Sequence, residues 1–209
     1  MIFDLDGTLV HFHHAYLFEQ TLGILERLGR TQVERSLLES CFAAFDYFQF
    51  VVQEERDYFI EQFWNLFDWS GFPKPLLIPG AYECIEQLVE RGIPAAIATS
   101  RCVPVPTLVK DLEHTRLPNI VSYVTSRSGD HIHWTDKRSL IQEVCRELSV
   151  DPSEALMVGD IPTDVTSARD CGITTTVAVL SGGIRRDVLT KVSPTYILED
   201  VSGLLEIIG

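Results

Sequence analysis

ALMVGDIPTDVTSARDCGITTTVAVLSGG, Ala155–Gly183, reads as strand, helix, strand. ALMVG is an apolar run of strand length, TDVTSARDCG has helical character, and TTTVAV is a second run rich in β-branched residues. A strand carried to the next strand by a helix implies parallel pairing and a right-handed crossover. The same alternation extends outward. Upstream lie a helical segment at DKRSLIQEVCRELSV (136–150), a strand at IVSYVTS (120–126), a helical segment at PTLVKDLEHTRL (106–117), a strand at IPAAIATS (93–100) and a helical segment at AYECIEQLVERG (81–92). Downstream, YILEDVSGLLEIIG (196–209) gives a last strand and helix. The pattern predicts an α/β core, a doubly wound, Rossmann-like parallel sheet.

The first strand stands apart from the others, in MIFDLDGTLV at the start of the chain. Between it and residue 79, strand signals vanish. AYLFEQTLGILERLG, QVERSLLESCFAAFDYF and QEERDYFIEQFWNLF read as three helices, and GFPKPLLIPG (71–80) breaks the helical pattern with proline and glycine. The expected organisation is therefore a core of residues 1–11 and 79–209 with an all-helical insert, residues 12–78. Tyr47, Phe48, Phe50, Tyr58, Phe59, Phe63, Trp64 and Phe67 crowd this insert. They read as a helix–helix core, with a substrate-facing aromatic wall as the alternative.

Composition bounds the function. Hydrophobic residues at 45% and charged residues at 22% are globular values that exclude a disordered or fibrous chain. A net charge of −13 repels a phosphate backbone and argues against nucleic acid, though not against a small anionic substrate held by local cations. No apolar stretch reaches the roughly 20 residues that span a bilayer, and no secretory leader precedes the first strand. A cytoplasmic location, with no membrane partner, is expected. Cys41, Cys84, Cys102, Cys145 and Cys171 are widely spaced and form no CxxC pair, so they read as reduced thiols; Cys102, just past a strand end, is the candidate for reactivity.

In doubly wound sheets ligands bind at the carboxyl ends of the strands, so the polar residues there should form one chemical set. Asp4 and Asp6 follow the first strand, Thr99 and Ser100 follow IPAAIA, and Asp160 and Asp164 follow ALMVG. Lys137 opens the helix before ALMVGD. Carboxylates gathered on adjacent strand ends repel one another unless a cation lies between them, and hard oxygen donors suit Mg²⁺. Mg²⁺ held by a few carboxylates leaves positions for phosphate oxygens, and Lys137 and Thr99 are a charge and a donor for others. An aspartate at such a metal can act as nucleophile in phosphoryl transfer.

These segments resemble the haloacid dehalogenase superfamily of phosphohydrolases. FDLDGTL (3–9) is similar to its first motif, IPAAIATS (93–100) to its second, Lys137 to its third and GDIPTD (159–164) to its fourth. The resemblance implies Asp4 as the nucleophile that forms an aspartyl phosphate, and Asp6 as general acid and then general base. It implies a Mg²⁺ site from the Asp4 carboxylate, the Asp6 carbonyl and Asp160, with Asp164 as a ligand or supporting group. Thr99, Ser100 and Lys137 would bind the phosphoryl oxygens. HWTDKRSL lacks the Lys-Pro of many relatives, so Lys137 is chosen over Arg138 and Lys110 by spacing. Ser100-Arg101 replaces an Asn-Lys pair, which makes Arg101 a candidate substrate contact.

Asp6 and the acidic GDIPTD pair point to phosphoryl transfer rather than metal-free dehalogenation. The insert position resembles the helical-cap members related to phosphoglycolate phosphatases and β-phosphoglucomutases, whose cap encloses a small substrate. The expected activity is Mg²⁺-dependent hydrolysis of a small phosphorylated metabolite. A phosphomutase of the β-phosphoglucomutase type is the alternative within the family, and a catalytically silent binding protein the alternative outside it. The oligomeric state, monomer or dimer, is left open.

His11, His13 and His14 raise three possibilities: substrate recognition by His13 or His14, a solvated hinge, or a transition-metal site lacking a fourth ligand. SGDHIHWTDK (128–137) reads as a polar loop rather than a ligand set. SGG (181–183) lacks the Lys-Ser/Thr ending of a nucleotide loop and reads as a turn. Only Met1, Ile2 and Phe3 precede Asp4, so the strand bearing it is expected to be short, or the natural chain to begin upstream.

Overall fold

The computed structural model describes residues 1–43, 46–128 and 135–208. They fall into two compact units: Met1–Phe12 together with the described residues from Lys74 onward, and the described residues of His13–Pro73.

In the first unit every strand is parallel. The strands β1 (Ile2–Phe3), β2 (Ala96–Thr99), β3 (Tyr123–Ser126), β4 (Leu156–Gly159), β5 (Thr175–Val179) and β6 (Tyr196–Leu198) form a sheet in the order β3-β2-β1-β4-β5-β6. The chain builds outward from β1 through β2 to β3, then crosses back to place β4 on the other side of β1. This reversal between β1 and β4 is where an open α/β sheet leaves a crevice beyond its carboxyl edge. β1 is as short as expected, yet Ile2 pairs with both Ala96 and Met157, and Phe3 with both Ile97 and Val158. Two residues therefore tie the two halves of the sheet.

The helices α4 (Ala81–Glu90), α5 (Val105–Leu112), α6 (Arg138–Leu148) and α7 (Pro162–Asp170) occupy the crossovers. On one face of the sheet Ile2, Ala96, Ala98 and Met157 pack against Leu140, Ile141, Val144 and Ala168, which places α6 and α7 there. Burying such aliphatic side chains contributes about 1.5–3 kcal/mol each for the larger ones, and their small strand partners let the helices lie close. A short helix, α8 (Arg186–Thr190), was not expected; only Leu189 of it is buried, so the segment carries no apolar period. It is followed by α9 (Leu204–Ile208) at the end of the described chain.

The chain joins this unit at Lys74, ahead of the expected boundary at residue 79. The reason is a backbone clasp. Ile78 N–H donates to Leu9 O at 2.9 Å, His11 N–H donates to Leu76 O at 2.8 Å, and Val10 bridges Leu77 antiparallel.

The second unit is helical, with α1 (His14–Arg27), α2 (Arg35–Ala43) and α3 (Gln53–Leu66). Phe48, Phe59, Phe63, Trp64 and Phe67 are buried, and Phe63 lies 4.9 Å from Phe48 and 5.0 Å from Trp64 between ring centroids. These rings build the core of the unit. Tyr58 is exposed instead, while Trp69 stacks on Trp64 at 5.7 Å. Among the described residues no helix is long and apolar enough to cross a membrane.

Candidate active site

The site grows from the turn that follows β1. Asp4 N–H donates to Val158 O of β4 at 2.8 Å, which extends the pairing one residue beyond Phe3. The chain then doubles back, with Leu9 and Val10 N–H groups both donating to Leu5 O and Gly7 N–H donating to Val10 O at 2.7 Å. Gly7 takes φ +80°, a left-handed conformation open to glycine at no steric cost. A side chain there would also stand 2.6 Å from Asp160 Cγ and 2.8 Å from Gly182 Cα, so three loops meet at this point. Thr8 Oγ1 donates to Asp160 Oδ1 at 3.4 Å, and Ser181 Oγ donates to Gly7 O at 2.6 Å.

Asp4, Asp160 and Asp164 are all buried, and each offers a carboxylate oxygen within 4.8 Å of the others. Lys137, fully buried, places Nζ 2.6 Å from Asp4 Oδ1 and 2.6 Å from Asp164 Oδ1. Its backbone is fixed by α7, since Lys137 N–H donates to Ser167 Oγ at 3.1 Å. Arg138 and Lys110 stand elsewhere: Arg138 pairs with Asp136 at the surface, and Lys110 is exposed. Asp164 has a second task, because its Oδ2 accepts the Ile161 N–H at 3.1 Å and so caps the start of α7. Both Asp164 oxygens thus have protein partners, which makes it the carboxylate that holds Lys137 and the helix.

The electrostatics follow from burial. Asp4 is pushed up to about 6 by desolvation, against the pull of Lys137. Asp160 is pushed well above the usual carboxylate range by desolvation and then by Asp4 and Asp164. Desolvation disfavours the Lys137 ammonium, but Asp164 and Asp4 outweigh it and hold the lysine charged. Three buried carboxylates against one buried ammonium leave an excess of negative charge in low dielectric. Hard oxygen donors with that excess fit a divalent cation such as Mg²⁺.

The Asp6 carboxylate lies outside this cluster. Arg101 grips it with Nε to Oδ2 and Nη2 to Oδ1, both at 2.7 Å. Any part of Asp6 in holding a cation therefore falls to its main-chain carbonyl. Thr99 is buried at the end of β2, and its Oγ1 accepts the Arg101 N–H at 3.2 Å, which leaves the hydroxyl hydrogen to donate. Ser100 Oγ is buried and has no hydrogen-bond partner among the described residues. An orphaned hydroxyl at a strand's carboxyl end is a donor suited to a substrate oxygen.

The remaining candidates separate. His11 is exposed and His13 and His14 are half-buried; His13 meets Phe72 edge-on at 5.6 Å, and among the described residues the histidines join no metal-ligating cluster. In SGDHIHWTDK, residues 129–134 lie outside the described residues. The cysteines form no disulfide among the described residues, and burial pushes Cys84 up to about 11 and raises Cys41, Cys145 and Cys171, so these four are poor nucleophiles. The sequence reading missed the SGG turn as part of the site. A signal existed, since SGG directly follows β5 and the strand-end rule applies to it as to the others.

The family model described as haloacid dehalogenase-like hydrolase matches residues 1–178. The chain belongs to this family. It is an enzyme of the hydrolase type, and the comparisons extend over its full length. It is 27% identical to a putative pyrophosphatase PpaX of Caldanaerobacter subterraneus, over 100% of the chain and 93% of that protein. It is 26% identical to a phosphoglycolate phosphatase of Rhodospirillum rubrum, over 100% of the chain and 90% of that protein. Among solved structures, a haloacid dehalogenase-like family hydrolase from Streptococcus pneumoniae superposes with a TM-score of 0.76 at 18% identity, covering 100% of this chain and 97% of the other. That likeness establishes the α/β fold of this hydrolase independently of the motif spacing.

Proposed function

We propose that the protein is a Mg²⁺-dependent phosphatase of small phosphate esters that works through an aspartyl phosphate on Asp4. The observation that carries this reading is the buried cluster at the β1/β4 crevice, where Asp4, Asp160 and Asp164 gather and Lys137 lies between Asp4 and Asp164. Asp4 and Asp160 are the carboxylates left to hold the cation, joined by the Asp6 carbonyl. Bound Mg²⁺ would supply charge neutralisation for the transferring phosphoryl group.

The chain's own residues account for the rest. Lys137 holds Asp4 through one oxygen and leaves the other to attack phosphorus. As the Asp4–phosphorus bond forms and the ester P–O bond breaks, Asp6 gives a proton to the leaving oxygen. A water then attacks the aspartyl phosphate, Asp6 takes its proton, and inorganic phosphate leaves with Asp4 restored. Thr99 and the unpartnered Ser100 hydroxyl donate to the phosphoryl oxygens. Hydrolase relatives named for pyrophosphate and for phosphoglycolate support a small substrate for this chain too.

The test is a panel of small phosphate esters and pyrophosphate, with phosphate release followed in Mg²⁺ and in EDTA. Turnover should require Mg²⁺ and disappear in Asp4→Asn. Full activity in that variant would eliminate the proposed nucleophile.

A further inference from the structure

Lys137 begins α6 as its N-cap, with φ −93° and ψ 5°. An N-cap side chain ordinarily accepts a helix N–H, but an ammonium has only donors, and this one is committed to Asp4 and Asp164. The neighbours divide the work. Asp136 Oδ1 accepts the Arg138 N–H at 3.0 Å and so caps the helix in place of Lys137, while Lys137 O accepts the Ile141 N–H at 2.9 Å to start it. That leaves the Lys137 N–H, a buried donor that costs free energy unless paired. Ser167 Oγ takes it at 3.1 Å, and Ser167 is itself buried.

Asp164 and Ser167 stand three residues apart on α7, so they lie on one face of that helix. Lys137 is therefore gripped at both ends by the same element, at its backbone by Ser167 and at its tip by Asp164. Side chains at this spacing start about 5–6 Å apart, a gap that a lysine's four-carbon stem can follow. A long side chain held at both ends has few rotamers left.

We propose that Ser167 is a positioning residue, which sets the Lys137 backbone so that Nζ arrives between Asp4 and Asp164. The inference rests on the phosphatase reading above and adds to it a residue that acts only through the lysine. Without the Ser167 oxygen, the start of α6 is free to shift toward another acceptor for the Lys137 N–H, and it carries Nζ with it. Asp4 then loses the partner that leaves its second oxygen aimed at phosphorus.

The experiment compares the wild-type protein with Ser167→Ala, Ser167→Thr and Val144→Ala, using p-nitrophenyl phosphate at saturating Mg²⁺. Val144 is a core residue of α6, so its truncation lowers stability without touching the lysine. A misplacement of about 1 Å costs on the order of 100-fold, and loss of one tether among three should cost about tenfold. Ser167→Ala should therefore lower kcat and kcat/KM together by about tenfold, with KM within about twofold. Ser167→Thr, which keeps the hydroxyl, should recover most of that, and Val144→Ala should keep kcat within about twofold while its Tm falls further. Amide hydrogen exchange followed by NMR supplies a readout independent of turnover. In Ser167→Ala the Lys137 amide should exchange about tenfold faster, while that of Ile141 stays within about twofold because α6 remains formed. A kcat loss in Ser167→Ala no larger than in Val144→Ala, a loss carried by KM alone, no recovery in Ser167→Thr, or unchanged Lys137 exchange would each overturn the proposal. Absence of turnover in the wild type on every phosphate ester would instead count against the phosphatase reading, while the exchange rates still decide whether Ser167 holds the lysine.

Discussion

Gly182 is a position where one added methyl group should cost heavily. A Cβ there would overlap Asp160 Oδ2 and stand 2.5 Å from Cγ and 2.6 Å from Cβ of the same residue. Carbon atoms sit comfortably at about 3.5 Å or more, so Gly182→Ala must move either the loop or the carboxylate by about 1 Å. Neither is loose: Thr8 holds Asp160, and Ser181, the residue before Gly182, is anchored to Gly7 O. A misplacement of about 1 Å in a reacting group costs on the order of 100-fold, which is about 2.7 kcal/mol at the transition state. The expected result is a fall of that order in kcat/KM for a phosphate ester, with weaker Mg²⁺ binding by calorimetry and an overpacking loss of about 1–3 kcal/mol in urea denaturation. Gly23→Ala is the internal comparison. Gly23 lies within α1, where a Cβ would meet nothing within 4 Å, and alanine there should add up to about 1 kcal/mol of stability. If Gly182→Ala kept wild-type kcat/KM and Mg²⁺ affinity, the three-loop junction would have no part in placing Asp160.

Two further outcomes follow from the charged cluster. Lys137→Met strips the cation from two buried carboxylates, a change of about 3–5 kcal/mol, so the metal-free Tm should fall by about 10 °C and excess Mg²⁺ should recover part of it; a Tm unchanged in EDTA would contradict the ion-pair geometry. Asp4 at about 6 and Asp160 well above its ordinary value keep protons in the folded state that the unfolded chain has already lost. Metal-free stability should therefore decline as pH rises from about 4 through 6. Over the same window Mg²⁺, competing with those protons, should bind more tightly by up to about tenfold per pH unit. Thermal shifts measured with and without Mg²⁺ at pH 5 and pH 7 check this, and a larger Mg²⁺ shift at pH 5 would reverse the assignment.

Within the chain, local pattern carried the element assignments far. The alternation around residues 155–183 is written in which side chains repel water, and a strand or helix answers to neighbours two to four residues away. The acidic, hydroxyl and lysine residues at the strand ends were legible for the same reason, since each directly follows a run of known character. Lys137 was the weaker inference because nothing adjacent to it in the chain distinguishes it from Arg138. Its burial between Asp4 and Asp164 depends on α6 and α7 being packed side by side, held by Ser167.

The sequence by itself determined the doubly wound core, the helical insert and the residue types gathered at one edge of the sheet, because periodicity and strand-end position are local properties. Only the tertiary structure decided how those residues are committed. Arg101 reaches Asp6 across 95 residues, and Ser181 reaches Gly7 across 174. Both contacts exist because the strand order places the end of β2 beside β1, and returns β5 past β4 toward the same turn. No local pattern encodes that order. A carboxylate that the chain presents as free chemistry thus proves to be clamped, and a turn that reads as a mere connection proves to be packed against Asp160.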